Sequence, residues 1–146
     1  MAYKIPESVL VVIYTPALQI LLLERSDHPG WWQSVTGSLE PGETPVQTAV
    51  REIGEETGLK ARNYSLQDWE YNNYYEIFTC YRHRYPPHVT HNTEYVFGLC
   101  IPEPRAITLS PHEHLQYTWL PATQAENACF SPSNQAAIRL LLERTP

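Results

Sequence analysis

The chain has 146 residues, a length that suits one globular domain with a single hydrophobic core. Hydrophobic residues make up 42% of it and charged residues 18%, which excludes an intrinsically disordered chain. The formal net charge of −6 argues against non-specific binding to nucleic acid, because that binding needs many lysine and arginine side chains at the phosphates. An anionic substrate would therefore need cations placed locally at its site.

Neither a membrane span nor a disulfide framework is predicted. The apolar run of residues 9–13 is too short to cross a bilayer and no signal-type segment precedes it, so we expect a cytoplasmic protein without a membrane partner. Cys80, Cys100 and Cys129 are widely spaced and form no CxxC pair, which indicates a reducing compartment and argues against a zinc site. We expect these thiols to be buried as small hydrophobic groups.

Three strands are predicted in the first quarter of the chain. Residues 8–15 are β-branched and nearly all apolar, as in a strand covered on both faces, and residues 19–25 follow after a turn. A short strand over residues 32–36 then leads to Gly37. Arg25 stands where the second apolar run ends, so it either reaches into a pocket or is a solvated surface charge.

Residues 37–59, GSLEPGETPVQTAVREIGEETGL, predict a loop followed by a helix. Thr44 is a hydroxyl N-cap, Pro45 suits the first helical position, and Gln47 is the acceptor of a capping box. Gly58 suits the left-handed position just after the helix. The helix is therefore predicted to span residues 45–57.

The predicted helix carries an apolar stripe and an acidic stripe. We expect the apolar stripe to pack inward; its members are Val46, Ala49, Val50, Ile53 and Thr57. The acidic stripe, roughly 120° away, holds Glu52, Glu55 and Glu56. Carboxylates at these spacings repel by a few tenths of a kcal/mol per pair. A divalent cation would offset that repulsion, whereas the alternative is a solvated acidic face.

The full pattern of this segment is Gly37, five residues, Glu43, seven residues, then REIGEETGL. It resembles the Nudix box, GX5EX7REUXEEXGU, at every specified position. The Nudix hydrolases cleave a nucleoside diphosphate linked to a further group X. The resemblance implies an α/β fold, an α/β/α sandwich with a mixed β-sheet, formed by residues 1–146 as a single domain. It also implies a Mg²⁺ cofactor, with Mn²⁺ as the alternative.

The resemblance assigns roles to the box residues. It implies that Glu52 and Glu56 bind the metal with the carbonyl of Gly37, and that Glu55 assists catalysis. A glutamate outside the box often completes the site in this family, which points to Glu113. Glu52, Glu55 and Glu113 are thus the implied catalytic acids, and the implied structural pair is Glu43 with Arg51.

Residues 63–84 predict one long strand or two shorter ones with many aromatic side chains. Tyr75 and Phe78 fit either a sheet core or a wall for a planar heterocycle. On a strand, Arg82 and Arg84 would point to one side and His83 to the other. This basic cluster fits either phosphate or partner binding, or a solvated sheet edge.

The remaining segments predict two strands and two helices. Residues 93–101 and 115–120 have strand patterns, and residues 121–128 and 133–144 have helical ones. Alternation on an extended segment argues against a joint metal site at His112 and Glu113.

The segments that flank the box resemble the Nudix enzymes that act on dihydroneopterin triphosphate in folate biosynthesis. This resemblance implies a set of substrate-binding residues: Lys4, Arg25, Thr36, Tyr75, Glu76, Ile77, Phe78 and Ser131. Tyr75 departs from the phenylalanine expected there, which keeps a stacking face and adds a hydroxyl.

The resemblance implies metal-dependent hydrolysis of 7,8-dihydroneopterin triphosphate to the monophosphate and pyrophosphate. An alternative within the family is a (deoxy)nucleoside triphosphate pyrophosphatase, such as one acting on dATP, because purine and pterin rings are both flat. A non-catalytic nucleotide-binding module is the alternative from another class. The sequence leaves open the attacked phosphorus, the number of metal ions, the general base and the oligomeric state.

Overall fold

The computed structural model describes residues 3–144, which form seven strands and three α-helices. Residues 1–2 and 145–146 of the predicted domain lie outside the described residues. The elements in chain order are β1 (Glu7–Tyr14), β2 (Gln19–Arg25), β3 (Trp32–Gln33), β4 (Val35–Ser38), α1 (Pro45–Thr57), β5 (Ser65–Glu76), β6 (His91–Cys100), β7 (His114–Pro121), α2 (Ala122–Ala128) and α3 (Pro132–Arg144).

The sheet is mixed, as predicted. β1 pairs in parallel with β6 and antiparallel with β4, while β5 pairs antiparallel with the other side of β6. β2 pairs antiparallel with both β3 and β7, and it joins β1 next to their connecting turn, where Tyr14 lies opposite Ile20. β4 is therefore a strand of the sheet next to β1, and α1 contacts both strands.

Helices cover both faces of the sheet, which confirms the α/β/α sandwich. Successive side chains of β1 alternate between the faces. Val11 packs in one core layer with Ile53 of α1, and Val12 packs in the other with Ile138 of α3. A strand buried on both faces explains the unbroken apolar run at the start of the chain.

The ends of α1 are those predicted from the sequence. The Thr44 side chain accepts a hydrogen bond from the Gln47 backbone amide at 3.3 Å, and the Gln47 side chain accepts one from the Thr44 amide at 3.0 Å. Gly58 adopts the left-handed conformation with φ 75° and donates its amide to the Gly54 carbonyl. At both ends of α1, backbone groups thus find hydrogen-bond partners in residues no more than four positions away in the sequence.

The predicted packing face of α1 is wrong in part. Val46 and Val50 are 48% and 47% exposed, whereas Glu52 and Glu56 are buried. Ile53 packs inward as expected. The buried arc is shifted toward the acidic stripe because this side of α1 rests on β4, where a glycine leaves room for a carboxylate.

The strand predicted across residues 63–84 ends early. β5 stops at Glu76, and residues Thr79–Arg84 form a 3-10 helix, in which the Tyr81 amide donates to the Phe78 carbonyl at 2.8 Å. The strand alternation predicted for Arg82, His83 and Arg84 is therefore wrong.

Two smaller predictions also need correction. The strand predicted over residues 32–36 is broken at Ser34, because the Ser34 amide leaves the sheet to donate to Asn134 Oδ1 at 2.8 Å. Cys129 is buried as predicted, but Cys100 is half-buried and Cys80 is exposed. The apolar core is complete without Cys80, which belongs to the surface 3-10 helix.

Residues 3–144 contain no helix with the length and apolar character needed to span a membrane.

Candidate active site

A cavity of about 780 Å³ gathers most of the residues singled out in the sequence. Its walls come from β4, the acidic side of α1, the end of β5, the loop before β7 and the start of α3. The predicted site residues that line it are Lys4, Arg25, Thr36, Gly37, Arg51, Glu52, Glu56, Tyr75, Glu76, Ile77, Phe78, Glu113 and Ser131. Glu43 and Glu55 are not among the lining residues.

The close approach of Glu52 to Gly37 positions the first carboxylate. A Cβ atom at position 37 would stand 2.2 Å from Glu52 Cδ and within 2.6 Å of both carboxylate oxygens. Only glycine leaves this space, so the glycine that opens the box allows the Glu52 side chain to lie on the backbone of β4.

Glu56 is the second carboxylate and is 2% exposed. Its Oε1 has no hydrogen-bond partner among the described residues, and the nearest basic atom is His114 Nε2 at 3.9 Å. Burial raises the pKa of Glu56 well above its ordinary value, and the neighbouring carboxylates of Glu52 and Glu113 raise it further. Burial also raises the pKa of Glu52, against the opposing effect of Arg51.

These observations fit a hard divalent cation. Glu52 and Glu56 are adjacent buried carboxylates, Glu56 Oε1 has no hydrogen-bond partner among the described residues, and such ions take oxygen ligands. In residues 3–144, however, no three His, Cys, Asp or Glu side chains are grouped closely enough to hold an ion. Glu113 lines the same cavity but does not complete a cluster with Glu52 and Glu56, so its role as a ligand stays a prediction.

Arg51 links the box loop to the helix. Its Nε and Nη2 donate to the two oxygens of Glu43 at 2.7 and 2.9 Å, and Nη2 also donates to the Ser38 carbonyl at 3.1 Å. Its Nη1 lies 2.5 Å from Glu52 Oε1 and 3.3 Å from Glu55 Oε2. The bonds from Arg51 lower the pKa of Glu43 to about 2. These contacts agree with a structural pairing of Glu43 and Arg51.

Cations converge on the cavity although the protein is acidic. Arg25 and Arg84 each lie over the ring of Tyr81, with both guanidinium carbons 4.7 Å from its centroid. Asp27 binds Arg25 at 2.8 Å and Arg84 at 3.4 Å. Burial lowers the pKa of Lys4, and the nearby positive charges of Arg84 and Arg25 lower it further. Of the predicted basic cluster, Arg84 lines the cavity.

Aromatic side chains form another part of the wall. Trp31 stacks on Phe130 at 4.5 Å, and Phe78 meets both rings edge to face, at 5.6 Å from Phe130 and 5.9 Å from Trp31. Tyr75 is half-buried, and its hydroxyl accepts a hydrogen bond from Asn92 Nδ2 at 3.0 Å. Tyr75 and Phe78 thus contribute both to packing and to the cavity surface.

Several lining residues were not identified from the sequence: Ser8, Gln33, Tyr81, Asn92, Glu94, His114 and Phe130. His114 lies beside Gln33 at 3.3 Å, and burial followed by the charge of Arg25 lowers its pKa to about 4. A signal existed for Asn92 and Glu94. They are polar residues two positions apart that interrupt an otherwise apolar strand face.

The sandwich and its acid-bearing loop-helix unit define the class of protein. The chain belongs to the family of the NUDIX domain, whose model matches residues 4–141. Members of this family generally use divalent metal ions.

Particular relatives are similar over nearly the whole chain. The chain is 47% identical over 139 residues to the dihydroneopterin triphosphate diphosphatase of Escherichia coli (strain K12), a match that covers 93% of this chain and 91% of the relative. It is 41% identical over 145 residues to the protein of the same name from Haemophilus influenzae, covering 97% and 90%. The solved structure of the E. coli dihydroneopterin triphosphate pyrophosphohydrolase matches with a TM-score of 0.92 and 44% identity and covers 99% of both chains.

Proposed function

We propose that this protein hydrolyses 7,8-dihydroneopterin triphosphate to dihydroneopterin monophosphate and pyrophosphate, by cleavage of the α–β phosphoanhydride. The observation that carries the proposal is that one cavity joins an acid pair and three cations to an aromatic wall. A triphosphate and a planar heterocycle need those two environments side by side. The similarity to the diphosphatases of E. coli and H. influenzae supports the same substrate.

The cations of the cavity bind the triphosphate. Lys4, Arg25 and Arg84 offset its negative charge, which the net charge of −6 would otherwise repel. Because Tyr81 holds both arginines and Asp27 bridges them, their guanidinium groups are positioned before the substrate arrives. Thr36 lines the same cavity.

We assign the divalent ion as Mg²⁺, which Glu52, Glu56 and the carbonyl of Gly37 would hold. Such an ion polarises a phosphoryl oxygen and lowers the pKa of a water molecule when it is bound. Glu52 or Glu113 accepts the proton of the attacking water. Glu55 assists from the solvent side, where Arg51 holds it.

The part of the cavity that the aromatic wall lines holds the pterin ring. Tyr75, Ile77 and Phe78 provide its apolar surface, and Phe130 supports Phe78. The backbone beside Glu76 and the hydroxyl of Ser131 offer polar contacts at the rim.

One assay tests the proposal directly. Release of pyrophosphate is measured with Mg²⁺ for dihydroneopterin triphosphate and for a panel of ribo- and deoxynucleoside triphosphates. We expect the highest kcat/KM for the pterin. A higher value for dATP or another nucleotide would overturn the substrate assignment, and no release from any compound would indicate a binding module.

A pair of variants tests the acid pair. Glu52→Gln should lower kcat at least about 100-fold, because it removes a group that acts in general acid–base chemistry or ion binding. Glu103→Gln changes an exposed acid outside the cavity and serves as the control. Wild-type turnover of Glu52→Gln at saturating Mg²⁺ would reject the role of Glu52.

A further inference from the structure

A group of polar side chains interrupts the apolar face that the sheet turns toward α3. Asn92 and Glu94 of β6 lie on the same face as Val96, which belongs to the core layer under α3. Glu94 pairs in register with Ser8 of β1 on one side and with Asn73 of β5 on the other. Ser8, Asn92 and Glu94 all line the cavity.

Glu94 is a buried carboxylate without a cation. It is 4% exposed, and no Lys, Arg or His in the described part of the chain forms an ion pair with it. Its hydrogen-bond partners are Asn73 Nδ2, at 3.3 Å from Oε1, and the Ser133 hydroxyl. Burial of an unpaired charge destabilises a fold, so this carboxylate is not explained by stability.

The electrostatic surroundings of Glu94 keep it close to ionisation. Burial raises its pKa to about 7, and the hydrogen bonds from Asn73 and Ser133 oppose that rise. The titratable groups that face it are Tyr75 and Tyr85. Burial raises the pKa of both phenols, which stay neutral and supply no countercharge.

Asn92 provides a second unused acceptor. Its Nδ2 donates to Ser8 Oγ at 2.8 Å and to Tyr75 Oη at 3.0 Å, which fixes the orientation of the amide. Asn92 is 1% exposed, and its Oδ1 has no partner among the described residues. Residues two apart on a strand are about 6.6 Å apart along it, so the two acceptors are neighbours on one face.

A ligand that satisfies both acceptors must present a row of N–H donors. The edge of a 2-amino-4-oxopyrimidine has N3–H and two hydrogens on the 2-amino group. N3–H and one amino hydrogen match the two oxygens of a carboxylate, as a guanidinium does, and the other amino hydrogen is free for an amide oxygen. A 6-aminopurine instead presents the N1 lone pair to the carboxylate, which is repulsive.

The position along the sheet also fits such a ligand. Glu94 lies opposite Ser8, and Ser8 lies opposite Ser38 of β4, next to the glycine on which Glu52 rests. Two strand spacings separate the two sites by roughly 10 Å. A bicyclic ring with a three-carbon side chain spans a similar distance from its pyrimidine edge to the first phosphate.

We propose that Glu94 and Asn92 form the subsite that selects substrates by a 2-amino-4-oxopyrimidine edge. The inference rests on the proposed function, because dihydroneopterin carries this edge. Guanine carries the same edge, whereas adenine does not.

The test compares Glu94→Gln with wild type on dihydroneopterin triphosphate, dGTP and dATP. The amide keeps the size of the side chain but places an NH₂ donor against the ligand donors. We expect kcat/KM for the pterin and for dGTP to fall about 10- to 150-fold, mainly through KM, and that for dATP to stay within about threefold. Glu103→Gln, an exposed acid outside the cavity, is the matched control. An equal loss for all three substrates would overturn the proposal.

A binding measurement separates recognition from chemistry. 7,8-Dihydroneopterin without phosphates is titrated into both proteins and followed by its fluorescence. Its affinity should fall by the same factor in Glu94→Gln, and an unchanged affinity would contradict the subsite. If Glu94→Gln fails to fold, Glu94→Asp keeps the charge and withdraws the carboxylate by one methylene. It should then weaken the pterin and dGTP but not dATP, and a uniform loss would again overturn the proposal.

These results distinguish the subsite from the proposed function. If wild type prefers nucleotides over the pterin but favours dGTP over dATP in a manner that depends on Glu94, the proposed function fails and the subsite stands. If the pterin is the preferred substrate and Glu94→Gln leaves that preference unchanged, the subsite fails alone.

Discussion

The carboxylate of Glu52 lies directly on the backbone of Gly37, with no room for even a methyl group between them. This contact joins the first residue of the box to the acidic side of α1, fifteen positions later. It explains why the helix buries its glutamates on β4 rather than pointing them into solvent.

We expect Gly37→Ala to displace Glu52 and to lower turnover by about 100-fold, the effect of a misplacement near 1 Å at a reacting site. Overpacking should also cost about 1–3 kcal/mol of unfolding free energy. Kinetics and urea unfolding measure both. The control is Gly54→Ala in the same helix, where the new Cβ would meet only the Leu59 carbonyl at 3.9 Å. Gly54→Ala should keep its activity, and equal activity losses in the two variants would contradict the role of the contact.

Glu56 should couple ion binding to stability. Because Oε1 of Glu56 is buried without a partner, Mg²⁺ should raise the melting temperature of wild type by binding the folded state. Glu56→Gln removes the charge and should abolish this increase while raising the melting temperature in EDTA. Differential scanning calorimetry with and without Mg²⁺ checks both effects. The same Mg²⁺-dependent shift in variant and wild type would show that the ion binds elsewhere.

Tyr81 should matter for substrate affinity, since Arg25 and Arg84 both lie on its ring. Tyr81→Ala removes this support and should raise KM for the triphosphate about tenfold with a smaller change in kcat, given the usual strength of cation–π contacts. Tyr81→Phe keeps the ring and should stay within about threefold of wild type on the same grounds. Steady-state kinetics at constant ionic strength decide the matter. Equal KM values for the two variants would exclude the stacking role.

Glu94 should make stability depend on pH. Its folded pKa of about 7 lies above the ordinary 4.5, so its stability contribution is fully present below pH 4.5 and is lost as pH rises through 7. The free energy of unfolding of Glu94→Gln, relative to that of wild type, should therefore increase by on the order of 3 kcal/mol between pH 4.5 and 8, because each unit of pKa shift corresponds to about 1.36 kcal/mol. Urea unfolding across that range measures the gain. Glu103→Gln should show no such trend, and a pH-independent difference for Glu94→Gln would refute the raised pKa.

Much of the box could be predicted because its signals are local. Thr44 and Gln47 cap the helix within three positions, and Gly58 ends it through its own backbone conformation. The brace between Glu43 and Arg51 was implied by the family pattern and agrees with the distances of 2.7 and 2.9 Å. Such features need no knowledge of the rest of the chain.

The surroundings of Glu94 could not be predicted in this way. Ser8, Asn73 and Glu94 are brought together by the register of three strands, two of which are separated by more than 80 residues. Arg84 reached the site only because residues 79–84 turn into a 3-10 helix rather than continuing β5. Neither the register nor the turn is encoded by hydrophobic periodicity.

By itself the sequence determined the ends of α1, its acidic stripe and the family to which the chain belongs, because these depend on residues within one short segment. Only the tertiary structure decided which side of α1 is buried. Periodicity sets the angles between side chains on a helix but not the direction of the surface that covers them. Here that surface is β4, and its glycine at position 37 turned the acids inward and left Val46 and Val50 in solvent.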